Sequence, residues 1–143
     1  MPTRTVDLSR VHLQAEIVVR AGDSTAPHAK QRLQHAYTEQ DATYPDAIGI
    51  SVVFRPMATL DELLQAGQFP HKRVSYTHLS TLVHALGAIG YEVMLYVTPT
   101  PDLPDHHFLA VAYRGSVQQH LADDVADVLI HTLTVIDNPY RRP

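Results

Sequence analysis

The chain has 143 residues, of which 45% are hydrophobic and 18% charged, and its formal net charge is −4. This composition is typical of a globular protein, and the absence of cysteine excludes disulfides, thiolate metal sites and a cysteine nucleophile. The sequence contains neither a basic run nor an apolar run of membrane-spanning length. We therefore expect a cytoplasmic protein that binds neither nucleic acid nor membrane.

Hydrophobic periodicity predicts the secondary structure along the chain. The clearest local signal is Thr59-Leu-Asp-Glu62, which has capping-box spacing ahead of a leucine stripe and of Gly67, where a helix would stop. In chain order the predicted elements are a strand at 11–20, a helix at about 26–40, a strand at 48–55, helices at about 60–66 and 78–89, strands at 91–98 and 108–114, and a helix at about 122–136.

The order of these elements, β-α-β-α-α-β-β-α, predicts an α+β fold with one four-stranded mixed sheet and helices mainly on one face. Residues 1–136 are expected to form a single globular domain, and residues 137–143 an extended or mobile C-terminal tail. The segment QFPHKRV, at 68–74, is predicted to be a loop, and the last two strands an antiparallel hairpin joined by a proline-rich connection.

Two adjacent histidines follow that proline-rich connection. On an extended segment His106 and His107 point to opposite sides, so they cannot both contact one small ligand or metal ion without a kink. Either the connection is a structural hairpin turn, or one of the two imidazoles acts as a general acid or base. The other histidines form no HExxH, HxH or HxxxH pattern, so no metal site is predicted.

Two further polar residues lie on predicted strands. Ser51 is either a satisfied core hydroxyl or a catalytic group, as a nucleophile or, under an enzyme hypothesis, as a residue that positions the substrate. Arg20 ends the first strand and is either a solvated edge residue or an anion clamp, because a guanidinium grips phosphate or carboxylate with two hydrogen bonds.

A non-catalytic interaction domain is the first functional hypothesis. The six glycines form no phosphate-binding loop, and no catalytic triad or cofactor motif is present. The C-terminal Tyr140, Arg141 and Arg142 are residue types favoured at interfaces, so they are predicted to bind a protein partner or a second copy of the chain.

An enzyme is the alternative hypothesis, and it rests on a resemblance. The segments EIVVRAGD, ending the first strand, and GISVVF, in the second, resemble the first-strand arginine and strand-borne serine motifs of ADP-ribosyltransferase-like toxins. The resemblance implies NAD bound in a cleft between two small sheets, with Arg20 on a phosphate and Ser51 supporting the nicotinamide ribose. The late-strand glutamate of those enzymes is missing from FLAVAYR, so His106 or His107 would have to replace it.

Overall fold

The computed structural model describes residues 4–38, 49–113 and 121–140. A short 3₁₀ helix at Leu8–Arg10 precedes the first strand. The strands are β1 (Ile17–Ala21), β2 (Ile50–Val53), β3 (Arg73–His78), β4 (Tyr91–Val97), β5 (His106–Tyr113) and β6 (Thr134–Asp137). The helices are α1 (Ala29–Ala36), α2 (Leu60–Ala66), α3 (Leu79–Gly87) and α4 (Leu121–Thr132).

The described strands form one sheet in the order β4-β5-β2-β1-β3-β6, and every pairing is antiparallel. The predicted four-stranded mixed sheet is therefore wrong, because the sheet has six strands, although the α+β class is right. The predicted hairpin is present as β4 and β5, which pair along their whole length.

Two strands were missed for different reasons. β3 begins at the end of the segment predicted to be a loop and runs to His78, where a helix was predicted to start. Pro70 and the basic residues 72 and 73 obscure the start of a strand that is half polar. The predicted last helix, at about 122–136, includes the first three residues of β6 because Ile136 continues that helix's apolar spacing. The helix instead ends at Thr132, and the β-branched residues Thr134, Val135 and Ile136 extend along β3.

The first strand also begins later than predicted. Residues 11–16 are turns, in which the amides of Ala15 and Glu16 both donate to the carbonyl of His12, and β1 starts only at Ile17. The predicted short helix with its capping box is confirmed. The Thr59 hydroxyl accepts from the Glu62 amide at 3.2 Å, and the Glu62 carboxylate accepts from the Thr59 amide at 3.1 Å.

The sheet is covered on both faces. Successive side chains along a strand point to opposite sides, so Val18 and Val19 of β1 enter two different apolar clusters. The larger cluster packs α1, α3 and α4 against one face, whereas the smaller one packs α2 and Phe69 against the other. Within the described ranges, none of the helices is both long and apolar enough to cross a membrane.

Residues 4–6 lie along the outer edge of β4. The Val97 amide donates to the Arg4 carbonyl at 2.7 Å, and the Val6 amide donates to the Leu95 carbonyl at 2.8 Å. An isolated bridge between Thr5 and Tyr96 completes this pairing.

Candidate functional site

A cleft of about 460 Å³ opens on the α2 face of the sheet. Ala21, Ser51 and Val53 form its floor, and the segments 67–70 and 102–103 form its walls, together with His106. Its volume lies within the range of about 300–1,000 Å³ that small-molecule sites occupy. Its position is set by two loops: one follows α2, and the other joins β4 to β5.

Ser51 and His106 reach this cleft from neighbouring strands. The β2–β5 register places Val53 opposite His106 and Ser51 opposite Phe108, so all four residues lie on one face of the sheet. The structure thus brings together two of the polar residues that the sequence singled out.

The His106 imidazole is held by the last residue before the proline-rich loop. Its Nδ1 lies 2.8 Å from the Thr98 carbonyl oxygen and 2.9 Å from the Thr98 hydroxyl, and Thr98 is fully buried. A carbonyl oxygen can only accept, so this contact assigns the proton of the neutral imidazole to Nδ1. The opposite ring nitrogen, Nε2, then carries a lone pair and can accept a proton.

His107 lies on the other face of the sheet, as the alternation of strand side chains predicts. It is 7% exposed, its ring meets Phe54 edge-on at 5.3 Å between centroids, and its Nδ1 donates to the Asp105 carbonyl at 2.8 Å. Burial lowers the pKa of this imidazole, because desolvation outweighs the raising effects of the Asp105 carbonyl and carboxylate. His107 is a core residue and does not line the cleft.

Arg20 also lies away from the cleft. It alternates with Val19, which packs on the α2 face, and it lies near Tyr37 of the α1 side. Burial lowers the pKa of the Arg20 guanidinium and raises the pKa of the Tyr37 hydroxyl, which donates to the Leu109 carbonyl at 2.8 Å. The predicted grouping of Arg20, Ser51 and a histidine around one ligand is not formed.

The C-terminal segment is anchored at Tyr140. Its hydroxyl donates to the Asp61 carboxylate and accepts from the Gln65 amide group at 3.0 Å, and the bond to Asp61 raises the pKa of the phenol. The Asn138 side chain holds the segment from the other side, accepting from the Tyr140 amide at 3.0 Å. Arg141 and Arg142 lie outside the described residues.

Sequence reasoning missed the residues that form the cleft walls. The Gln68 side chain donates to the Asp102 carbonyl at 3.1 Å and so links the two walls. The Phe69 ring packs directly against Gly67, so a Cβ atom at position 67 would overlap the ring. The sequence indicates Gly67 only as a helix stop, and no pattern in it predicts that the loop after Gly67 faces the proline-rich loop.

The lining of the cleft contains little charge. Among the described residues that line it, Asp102 is the only one with a permanent charge, and neither lysine nor arginine contributes. Such a site favours an uncharged or cationic group over a phosphate. Across the described ranges, no three His, Asp or Glu side chains come together in a way that could hold a metal ion.

Comparison of the chain with models of protein families, with curated proteins and with solved structures yields no significant match.

Proposed function

We propose that the protein is a small NAD-using transferase of the ADP-ribosyltransferase-like kind, with its substrate in the α2-face cleft and His106 as the general base. One observation carries this proposal. Ser51 and His106 line the same cleft from adjacent strands, and the contact of His106 Nδ1 with Thr98 leaves Nε2 free to accept a proton.

The chemistry of the lining suits one end of NAD. The nicotinamide ring is flat and positively charged, and the cleft offers the apolar side chains of Val53 and Phe69 together with the Asp102 carboxylate. The cleft's 460 Å³ suits the ring and its ribose, which leaves the phosphates outside.

The proposed reaction transfers the ADP-ribosyl group from nicotinamide to an acceptor hydroxyl or amine. The acceptor attacks the anomeric carbon, and the electron pair of the broken glycosidic bond neutralises the nicotinamide ring. His106 Nε2 takes the proton that the acceptor loses, while Thr98 holds Nδ1 and fixes the orientation of the imidazole. Ser51, exposed in the cleft, donates a hydrogen bond to a ribose hydroxyl.

Arg20 has no part in this proposal, because its side chain lies on the α1 side of the sheet. The non-catalytic hypothesis, in which Tyr140, Arg141 and Arg142 bind a protein partner, stays a prediction. Tyr140 would have to exchange its contacts with Asp61 and Gln65 for contacts with that partner.

Calorimetric titration with NAD tests the proposed binding. The unaltered protein should bind NAD saturably, and Ser51→Leu should abolish binding because the longer side chain fills the cleft. Ser51→Ala should weaken binding by roughly tenfold or less, the contribution of one hydrogen bond. His84→Gln, on the exposed side of α3, is the matched control and should bind as the unaltered protein does.

A second measurement tests the proposed chemistry. His106→Gln should bind NAD but release nicotinamide about 10²–10⁴ times more slowly, the usual contribution of a general base. Absence of NAD binding by the unaltered protein would contradict the proposal and favour the partner-binding hypothesis. Binding that Ser51→Leu leaves intact would place any NAD site elsewhere.

A further inference from the structure

Glu16 carries a buried carboxylate. The residue is 1% exposed, and its two oxygens accept from a single donor, the Met57 amide, at 3.1 and 3.2 Å. Among the described residues, no lysine, arginine or histidine forms an ion pair with it. Withdrawing a charge from water without a cationic partner is unfavourable, so this site is incomplete as it stands.

The amide that Glu16 holds belongs to a strained turn. Met57 has a φ of 67°, a left-handed conformation that costs free energy for a residue with a side chain. The residue is 80% exposed, the most exposed of the large hydrophobic residues described. The buried carboxylate thus stabilises a turn that presents a thioether to solvent.

A cavity of about 330 Å³ lies between this turn and the segment that precedes β1. Glu16 lines it, with His12 and Ser9 as further polar groups and Pro56 and Met57 as apolar ones. Arg10 also lines the cavity, but its side chain is largely exposed, and its guanidinium pairs at 3.4 Å with Asp7, which is not a lining residue. The cavity shares no lining residue with the α2-face cleft.

We propose that this cavity binds an arginine or lysine side chain of a partner protein. Such a side chain combines an alkyl stem with a cationic head. The stem would pack along Pro56 and Met57, and the head would supply the positive charge that Glu16 lacks. The negative charge of the Glu16 carboxylate is the reason for expecting a cationic side chain in this cavity. The proposed site does not depend on the proposed transferase function.

Amide chemical-shift titration of the ¹⁵N-labelled protein with N-acetyl-argininamide tests the site. Saturable shifts are expected at the amides of Met57 and of residues 9–12, and the neutral N-acetyl-citrullinamide should cause none. Glu16→Gln keeps an acceptor for the Met57 amide but removes the charge, so it should bind the probe about tenfold more weakly or worse. His84→Gln should leave the titration unchanged.

Met57→Gly gives a second test that does not depend on the stability of Glu16→Gln. Glycine adopts positive φ without strain, so this variant should have a higher melting temperature and yet bind the arginine probe more weakly, because the stem loses its contact. The proposal is overturned if no saturable shift occurs near Met57. It is equally overturned if citrulline acts like arginine, or if both variants bind as well as the unaltered protein.

Discussion

Ser24 and Ser75 are buried serines whose hydroxyls differ in their hydrogen bonding. Ser24 is 3% exposed, and within the described part of the chain its Oγ has no hydrogen-bond partner. Its backbone amide, by contrast, donates to the Ser75 hydroxyl at 3.2 Å, and that hydroxyl donates to the Gly22 carbonyl at 2.9 Å. The two serines of this contact therefore contribute very differently to stability.

Ser24→Ala should raise the free energy of unfolding by about 1 kcal/mol, because it removes a buried polar group that gains no bond. Ser75→Ala should lower it by about 1–3 kcal/mol, because it leaves a donor and an acceptor without partners. Urea unfolding measures both changes. A loss of stability in Ser24→Ala would mean that its hydroxyl has a partner, such as an ordered water.

His107 makes stability depend on pH. Burial lowers the pKa of its imidazole in the folded protein, so below the ordinary histidine pKa of about 6.5 the unfolded chain binds more protons than the folded one. At higher pH the imidazole is neutral in both states, and its titration does not change the free energy of unfolding. As the pH falls from about 6.5 towards the lower pKa of the folded state, proton uptake by the unfolded chain lowers that free energy.

The variant His107→Phe should therefore lose less stability than the unaltered protein between pH 7.5 and pH 5. Urea unfolding at several pH values gives the two slopes, and His84→Gln, which replaces an exposed histidine, should retain the original slope. Parallel slopes for His107→Phe and the unaltered protein would show that His107 does not titrate in this window.

At the scale of secondary-structure elements, α2 is a short helix, and the capping box at its N-terminus satisfies backbone amides that have no partner within the helix. Thr59→Ala removes the capping hydroxyl and should lower the free energy of unfolding by about 1 kcal/mol. Thr81→Ala, on the exposed face of α3, offers a control without a capping role and should be neutral or slightly stabilising. Equal effects of the two substitutions would show that the capping box contributes nothing.

Asn138 connects the end of β6 to a wall of the cleft. Its side-chain NH₂ donates to the carbonyls of Phe69 and His71, both at 3.0 Å, while its Oδ1 accepts from the Tyr140 amide. Asn138→Asp keeps the acceptor but turns a carboxylate oxygen towards two carbonyls. The position of Phe69, which lines the cleft, thus depends on a residue after the last strand.

Asn138→Asp should lower the free energy of unfolding by about 1–3 kcal/mol and also weaken ligand binding in the cleft. Tyr140→Phe, which removes only the exposed contact with Asp61 and Gln65, should change stability by less than about 1 kcal/mol. Calorimetry and urea unfolding separate the two effects. Unchanged binding in Asn138→Asp would show that the cleft wall does not need this anchor.

The elements that could be predicted from the sequence are those with local signals. The capping box of α2 and the hairpin of β4 and β5 need only neighbouring residues, and both are present. β3 and β6 pair with each other and depend on contacts between distant parts of the chain, which no local pattern reveals. For the site, alternation separated His106 from His107, but it could not place Arg20 relative to Ser51 without the register between β1 and β2.

At the scale of the whole molecule, the sheet separates a large apolar cluster from a small one. β1 and β2 lie in the middle of the sheet and contribute buried residues to both clusters, whereas α2 packs only on the smaller one. The free energy needed to expose a backbone amide to solvent is higher where the surrounding side chains are more extensively buried.

Native-state hydrogen exchange should therefore show the amides of β1 and β2 exchanging only through global unfolding. The amides of α2 should exchange through a local opening of lower free energy, which also opens the cleft. The helices α1 and α4 pack against each other on the opposite face, so their amides provide a reference for the hydrogen-exchange protection of α2. Protection of α2 equal to that of β1 would mean that the two faces unfold as one unit.

The pairing of residues 4–6 with β4 has a consequence for how molecules of this protein meet one another. An unpaired strand edge is a template on which a second chain can add a strand, and such additions can propagate into fibres. Arg4 and Val6 occupy backbone groups of Val97 and Leu95 that would otherwise be open on this edge. These three residues, of which only Val6 is partly buried, thus leave less of the β4 edge open to strand addition by a second molecule.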